Sequence, residues 1–172
     1  NLMRIWIPFK KKPPRVNVIR FSGTIAADGR FGSSVISDQS TKKIIEKAFA
    51  NKNVSAVAIV INSPGGSPVQ SSLIAARIRR LANEKQIPVY AFIEDVAASG
   101  GYWLATAADE IYADLSSIVG SIGVIYSGFG FQNLIKNYGI ERRIHTAGED
   151  KSFLDPFRAE KPEDIDKLTD LQ

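Results

Sequence analysis

The sequence has 172 residues, of which 44% are hydrophobic and 23% are charged, a composition that suits one globular domain with its own core. It has no cysteine and a single histidine, His145. Disulfides, thiolate metal sites and a cysteine nucleophile are therefore excluded, and little remains for a histidine-based triad or a multi-histidine metal site. The pattern implies no cofactor, no metal and no nucleic-acid partner.

The formal net charge of +4 is unevenly placed, because basic residues dominate the amino end. We predict that residues 1–14 form a basic, proline-containing arm that precedes the globular domain. Trp6 and Phe9 beside the lysines at 10–12 would suit peripheral contact with an anionic membrane surface, and a solvated arm without a partner is the alternative. No run approaches the roughly 20 apolar residues that cross a bilayer.

A strand, a tight turn and a helix are predicted in the middle of the chain. The apolar, β-branched run over 54–61 is typical of a strand buried on both faces in a parallel sheet. It ends at Asn62 in a cluster of turn residues. Ser67 followed by Pro68 then predicts the start of a helix, with a capping hydroxyl and proline at the first helical position.

A second unit of the same kind follows, with a strand over 89–93, a connector over 94–98 and a helix over 99–108. Further strands are predicted at 16–21, 110–113, 122–126 and 142–145, and further helices after a cap within 38–41, at 131–138 and at 162–171. We therefore predict an α/β fold of repeated strand-turn-helix units around a mostly parallel sheet. The domain is expected to span 15–172 and to be truncated at its carboxyl end, since the last helix reaches Gln172 without a capping signal.

The turn after the first buried strand contains Gly65 and Gly66. Glycine takes backbone angles that other residues avoid, so this turn can direct its N–H groups toward a bound anion. The alternative is a tight connection between strand and helix with no further role.

The next turn contains Ser99, followed by Gly100 and Gly101 at the start of a predicted helix. A hydroxyl at this place lies where a helix amino terminus favours developing negative charge, which suits a nucleophile. The alternative is an ordinary helix cap followed by two glycines that allow close packing.

Several sequence blocks together carry a resemblance to a known family. Ile61–Gly66 (INSPGG), Ala98–Tyr102 (ASGGY), Val119–Gly123 (VGSIG) and Lys151 within 148–157 resemble, in this order, the signature of the signal peptide peptidase A family. The resemblance spans roughly 16–157. It implies a Clp-protease/crotonase-like fold and a serine peptidase with a Ser-Lys dyad.

The resemblance also implies a role for each site residue. Ser99 would be the nucleophile, Lys151 the general base and Ser121 the residue that orients the lysine. The backbone N–H groups of Gly66 and Gly100 would form the oxyanion hole.

A lysine ammonium has no lone pair, so Lys151 can act as a base only if burial or nearby positive charge disfavours its charged form. Neutral Lys151 would then accept the proton of Ser99 and return it to the leaving amine. The alternative is that Lys151, between Asp150 and Ser152, is a solvated surface charge.

The expected activity is that of an endopeptidase that binds extended peptides by strand addition and prefers apolar or small side chains. The resemblance implies remnant signal peptides or misfolded membrane and secreted proteins as substrates, a homo-oligomer, and a location in a bacterial cytoplasm or at the inner membrane. A membrane anchor is common before the protease domain of relatives, and none is visible in this sequence. The alternatives are a crotonase-like acyl-CoA enzyme, which would need neither Ser99 nor Lys151, and an inactive scaffold of the same fold.

Overall fold

The structure is a computed structural model that describes residues 13–27, 35–50, 53–148 and 151–171. It divides into two compact units, Asn1–Ile122 and Gly123–Gln172. The predicted basic arm lies outside the described residues except for Pro13 and Pro14. The predicted domain span of 15–172 therefore includes both units, and its boundaries stay predictions.

The first unit carries all of the sheet. Its strands are β1 (Arg15–Ser22), β2 (Val54–Ser63), β3 (Val89–Ala98), β4 (Glu110–Ala113) and β5 (Ile118–Gly120), and its helices are α1 (Asp38–Ala50), α2 (Pro68–Lys85) and α3 (Gly100–Ala105). The described part of the second unit contains α4 (Gln132–Asn137) and α5 (Pro162–Leu171).

The strands form one parallel sheet in the order β1-β2-β3-β4, and β5 pairs with β3 beyond the end of β4. Each crossover between β1, β2 and β3 runs through a helix, as parallel strands require. Ser67 caps α2 by accepting the N–H of Gln70 at 3.4 Å, and Pro68 is its first residue. The predicted α/β fold with a mostly parallel sheet is confirmed.

The core lies between the helices and alternate residues of β1, β2 and β3. Its largest members include Ile19, Phe21, Ile45, Phe49, Val57, Ile59, Ile61, Ile74, Ile78, Val89 and Leu104. On the other side of the sheet, Val18 is 64% exposed, and Phe92 stacks on Tyr112 with both rings partly exposed. Burial therefore holds the helices against one face of the sheet.

The predicted connector over 94–98 is wrong, because β3 continues to Ala98. Ile61 pairs with Ile93, but Ser63 pairs with Ala97, so β3 has extra residues opposite Asn62. This bulge locally bends the strand. Beyond it β3 leaves β4 and pairs with β5.

Three further predicted elements differ from the structure. The helix predicted over 99–108 ends at Ala105, because Asp109 exchanges two hydrogen bonds with Val89 and draws the chain back to the start of β3. Among the described residues, 122–126 and 142–145 form no strand. Alternating apolar residues favour a strand, but a strand also needs a hydrogen-bonded partner, which the alternation does not supply.

Candidate active site

Ser99 occupies the turn between β3 and α3 with φ +51° and ψ −120°. Such angles are unusual for a residue with a side chain and cost about 1–3 kcal/mol, so surrounding contacts must hold them. The Ser99 N–H donates to the Gly120 carbonyl at 2.8 Å, and the Ser99 carbonyl accepts the N–H of Trp103 at 3.0 Å. The backbone at Ser99 is thus fixed on both sides.

The Ser99 hydroxyl does not cap α3. The residue is half-buried, and within the described part of the chain its side chain makes no capping hydrogen bond to the helix. An ordinary cap has extended backbone angles and a side chain that accepts an N–H of the first turn. The structure therefore disfavours the helix-cap interpretation of Ser99 and leaves its hydroxyl available.

The glycine turn after β2 packs directly against the Ser99 turn. A Cβ placed on Gly65 would lie 2.5 Å from the Ala98 carbonyl oxygen, 2.8 Å from the Gly100 nitrogen and 2.9 Å from the Ser99 Cβ. Gly65 is buried and has φ +92°. Only glycine fits here, and its small size brings the two turns into contact.

Two backbone N–H groups near this contact have no acceptor among the described residues. Neither the N–H of Gly66 nor that of Gly100 donates a hydrogen bond to any residue within 13–27, 35–50, 53–148 and 151–171. Gly100 is the first residue of α3, where an N–H has no partner within the helix. Unpaired, fixed N–H groups can bind an anionic oxygen.

Ser121 follows the carbonyl that holds the Ser99 turn. Gly120 ends β5 and accepts the Ser99 N–H, and Ser121 comes next, exposed, with φ +55°. The β3 bulge makes this arrangement possible, because it frees 96–98 to pair with β5. Ser99, Gly66, Gly100 and Ser121 thus lie at the carboxyl edge of one parallel sheet, where α/β proteins place their ligands.

Lys151 belongs to the second unit. It begins the turn over 151–154 and is exposed, and a Cβ on Gly148 would lie 3.6 Å from its Cγ. Its approach to Ser99 stays a prediction.

The two acids that precede the Ser99 turn are paired with side chains of β1 and β2. Glu94 forms an ion pair with Arg20 of β1, and the Asp95 carboxylate accepts the Asn62 side-chain amide at 2.8 Å. Within the described ranges, no three His, Cys, Asp or Glu side chains cluster closely enough to hold a metal ion.

Sequence reasoning missed the carbonyl of Gly120 as the partner of the Ser99 N–H. It also assigned no role to Ser63, which is fully buried beside the glycine turn. Both residues lie within the sequence blocks that carry the resemblance, but only the packing of the turns shows what they contact.

A serine on a strained strand-to-helix turn, at the carboxyl edge of a parallel sheet and beside unpaired N–H groups, is typical of serine hydrolases. The sequence profile of peptidase family S49 matches residues 81–171, more than half of the chain. The chain therefore belongs to peptidase family S49, a family of serine peptidases. The resemblance to signal peptide peptidase A is confirmed, since relatives carry that name or the name protease 4.

The relatives are much longer than this chain. The sequence is 54% identical over all of its length to a protein of Brucella melitensis named Na(+)/H(+) antiporter NhaA, of which it covers 24%. It is 36% identical over 74% of its length to protease 4 of Haemophilus influenzae, of which it covers 20%. The chain thus spans about a quarter or less of these relatives.

The fold is also similar to that of a solved structure. The 1510-N membrane-bound stomatin-specific protease matches with a TM-score of 0.52 at 21% identity, over 74% of this chain and 60% of that one. The comparison supports the Clp-protease-like fold that the resemblance implied. Among the described residues, no helix combines the length and apolar character that a membrane crossing requires.

Proposed function

We propose that this chain hydrolyses peptide bonds with Ser99 as nucleophile and Lys151 as general base. The observation that carries the proposal is the strained Ser99 turn. Its hydroxyl does not cap α3, and it lies against a turn whose Gly66 N–H has no acceptor in the part of the chain that the structure describes. A strained backbone held by its surroundings is typical of catalytic positions.

In the proposed reaction, Lys151 takes the Ser99 proton as the Oγ–carbon bond forms, and Ser121 keeps the amine oriented. The former carbonyl oxygen becomes an oxyanion that accepts hydrogen bonds from the N–H groups of Gly66 and Gly100. The carbon–nitrogen bond then breaks, and Lys151 donates the proton to the leaving amine. Water attacks the acyl-enzyme, gives its proton to Lys151, and Ser99 regains a proton as the acid is released.

The proposal places a requirement on Lys151, which is exposed. A lysine gives up its charge readily only where burial or nearby positive charge disfavours the charged form. We propose that bound substrate or a neighbouring subunit covers it in the working enzyme. The exposed apolar side chains of the second unit, such as Ile125 at 91% and Phe129 at 80%, suit burial against such a surface.

Extended peptides are the proposed substrates, bound by strand addition, with apolar or small side chains at the cut. Remnant signal peptides and misfolded membrane or secreted proteins meet this description.

The protein would be a homo-oligomer, and sedimentation velocity on the full-length protein at high concentration should show species larger than a monomer. A monomer alone would contradict that proposal.

A bacterial membrane is the proposed site of action, either through the predicted basic arm or within a larger membrane protein. The Brucella relative, which is named for a membrane antiporter and covers the whole chain, supports this location. If the arm contacts the membrane, the protein should float with vesicles of anionic lipid. The control variant, which lacks residues 1–12, should then stay behind.

The test of the activity compares wild type with Ser99→Ala and Lys151→Ala on an unfolded protein and a fluorogenic peptide. Both variants should lose cleavage by roughly three to six orders of magnitude, because members of one catalytic unit fail together. Lys136→Ala, which removes an exposed lysine of α4 in the same unit, is the matched control and should cleave like wild type. Full activity in either active-site variant would contradict the dyad.

Two unpaired N–H groups would also stabilise the enolate of an acyl-CoA thioester, so the crotonase-like alternative shares this feature. The strained Ser99 favours the peptidase, since the alternative needs no nucleophile there. Binding of acyl-CoA by a wild type that cuts no peptide would favour the crotonase-like enzyme. A wild type that neither cuts nor binds acyl-CoA would favour the scaffold.

A further inference from the structure

Ser63 is the last residue of β2 and is fully buried. Its hydroxyl donates to the Gly23 carbonyl at 2.7 Å and accepts the N–H of Gly65 at 3.1 Å. A Cβ on Gly101 would lie 2.5 Å from the Ser63 carbonyl oxygen. Ser63 therefore joins the end of β1, the glycine turn and the first turn of α3.

The hydrogen bonds around this serine leave one N–H of the glycine turn unpaired. The N–H of Gly65 donates a hydrogen bond to the Ser63 hydroxyl, and the N–H of Ser67 donates to the Ile25 carbonyl at 2.8 Å. The Gly65 carbonyl accepts the Ile25 N–H at 2.9 Å. Between these fixed groups, the N–H of Gly66 finds no acceptor among the described residues, so its direction is set by its neighbours.

We propose that Ser63 is a positioning residue that aims the Gly66 N–H at the oxyanion. The proposal rests on the proposed peptidase function, since it matters only if Gly66 binds the reacting carbonyl oxygen. Ser63 itself does not touch substrate. It acts through the Pro64–Gly65 peptide group, whose N–H donates to the serine hydroxyl and which directly precedes the Gly65–Gly66 peptide group that carries the Gly66 N–H.

Loss of this hydroxyl should affect the transition state more than substrate binding. The full negative charge on the oxygen develops only as Ser99 attacks, and a donor displaced by a fraction of an ångström is then poorly placed. Removal of a whole oxyanion donor lowers kcat by about 100- to 1,000-fold. Displacement through Ser63→Ala should lower kcat by roughly 10- to 100-fold and change KM by less than about threefold.

Thr41→Val is the matched control. Thr41 is also buried, and its hydroxyl donates to the Ser37 carbonyl at 2.6 Å near the start of α1. It should lower the free energy of unfolding while kcat of the folded protein stays within about twofold of wild type. Ser63→Thr keeps the hydroxyl and should recover most of kcat if the added methyl is accommodated.

A peptide aldehyde gives a second measurement. Ser99 Oγ bonds to the aldehyde carbon as the carbon–oxygen π bond opens and the Ser99 proton passes to Lys151, and the former carbonyl oxygen becomes a hemiacetal alkoxide at the oxyanion position. In Ser63→Ala, affinity for the aldehyde should fall by about the same factor as kcat, while affinity for the matching peptide alcohol, which cannot form the adduct, should change little.

Each result of these measurements decides the proposal. Folded Ser63→Ala with wild-type kcat and aldehyde affinity would overturn it, and so would equal loss of affinity for aldehyde and alcohol. If Ser63→Ala does not fold, Ser63→Cys, with a weakly accepting sulfur of similar size, is measured by the same criteria. A wild type that cleaves nothing would instead refute the peptidase function itself.

Discussion

The two units of this chain differ in what holds them. The first unit contains the sheet and the whole described core, from Ile19 to Ala107. In the second unit, none of the described residues between 123 and 171 is buried, and α4 and α5 bury no side chain. The proposed nucleophile thus lies in a unit with its own core, whereas the proposed base lies in a unit in which no described residue is buried.

The largest expected effect tests this difference in the core. Ile59 is fully buried in β2, so Ile59→Ala should lower the free energy of unfolding by about 2–5 kcal/mol in urea titration. Ile125 of the second unit is 91% exposed, and Ile125→Ala is the matched control, expected to change the stability of the monomer at low concentration by less than about 0.5 kcal/mol. Similar losses in both variants would contradict the comparison.

An intermediate effect is expected at Gly65, which lies against the Ser99 turn. Gly65→Ala places a methyl group 2.5 Å from the Ala98 carbonyl oxygen and requires φ +92°, so the turn must shift. We expect peptide cleavage to fall by about 100-fold or more and stability by about 1–3 kcal/mol.

Gly139→Ala in the second unit separates backbone strain from the clash. Gly139 has φ +64°, and a Cβ there would meet nothing within 4 Å. Gly139→Ala should lower the free energy of unfolding by about 1 kcal/mol or less and leave the rate of cleavage within about twofold of wild type. Equal loss of cleavage in the two variants would show that the contact with the Ser99 turn is unimportant.

The smallest effect concerns pH. Arg77 of α2 donates to both carboxylate oxygens of Asp38 in α1, at 2.8 and 2.7 Å, and these bonds lower the pKa of Asp38. A carboxylate with a lowered pKa stabilises the fold above its unfolded pKa of about 3.9, and that stability is lost as pH falls through the folded pKa. Asp38→Asn should lower the free energy of unfolding by about 1–2 kcal/mol at pH 7. It should change that free energy by nearly nothing once the pH is below the folded pKa of Asp38.

Asp155 gives the corresponding test in the second unit. The N–H of Phe157, and then Arg142, lower the pKa of Asp155. Because no described core lies in that unit, Asp155→Asn should leave the main urea transition unchanged at every pH. A shift of that transition equal to the one in Asp38→Asn would show that both units unfold together.

The sequence by itself determined most of the first unit and the position of the Ser99 turn. Continuous apolar runs, a serine-proline helix start and glycine pairs after two strands reflect local backbone preferences and burial, which act along the chain. The strand over 54–61 and the helix start at 67–68 are therefore where those patterns predict. The family blocks supplied Ser99, Gly66, Gly100, Ser121 and Lys151 as a set, which no single motif would have justified.

Only the tertiary structure decided how far β3 extends and what fixes Ser99. The bulge opposite Asn62, the pairing of β3 with β5 and the bond from Ser99 to Gly120 join residues that are distant in sequence, so no local pattern records them. The same reason explains the absent strands at 122–126 and 142–145, where alternation favours extended chain but pairing depends on a neighbour. The sequence specifies the chemistry of each group, whereas packing determines which other group it contacts.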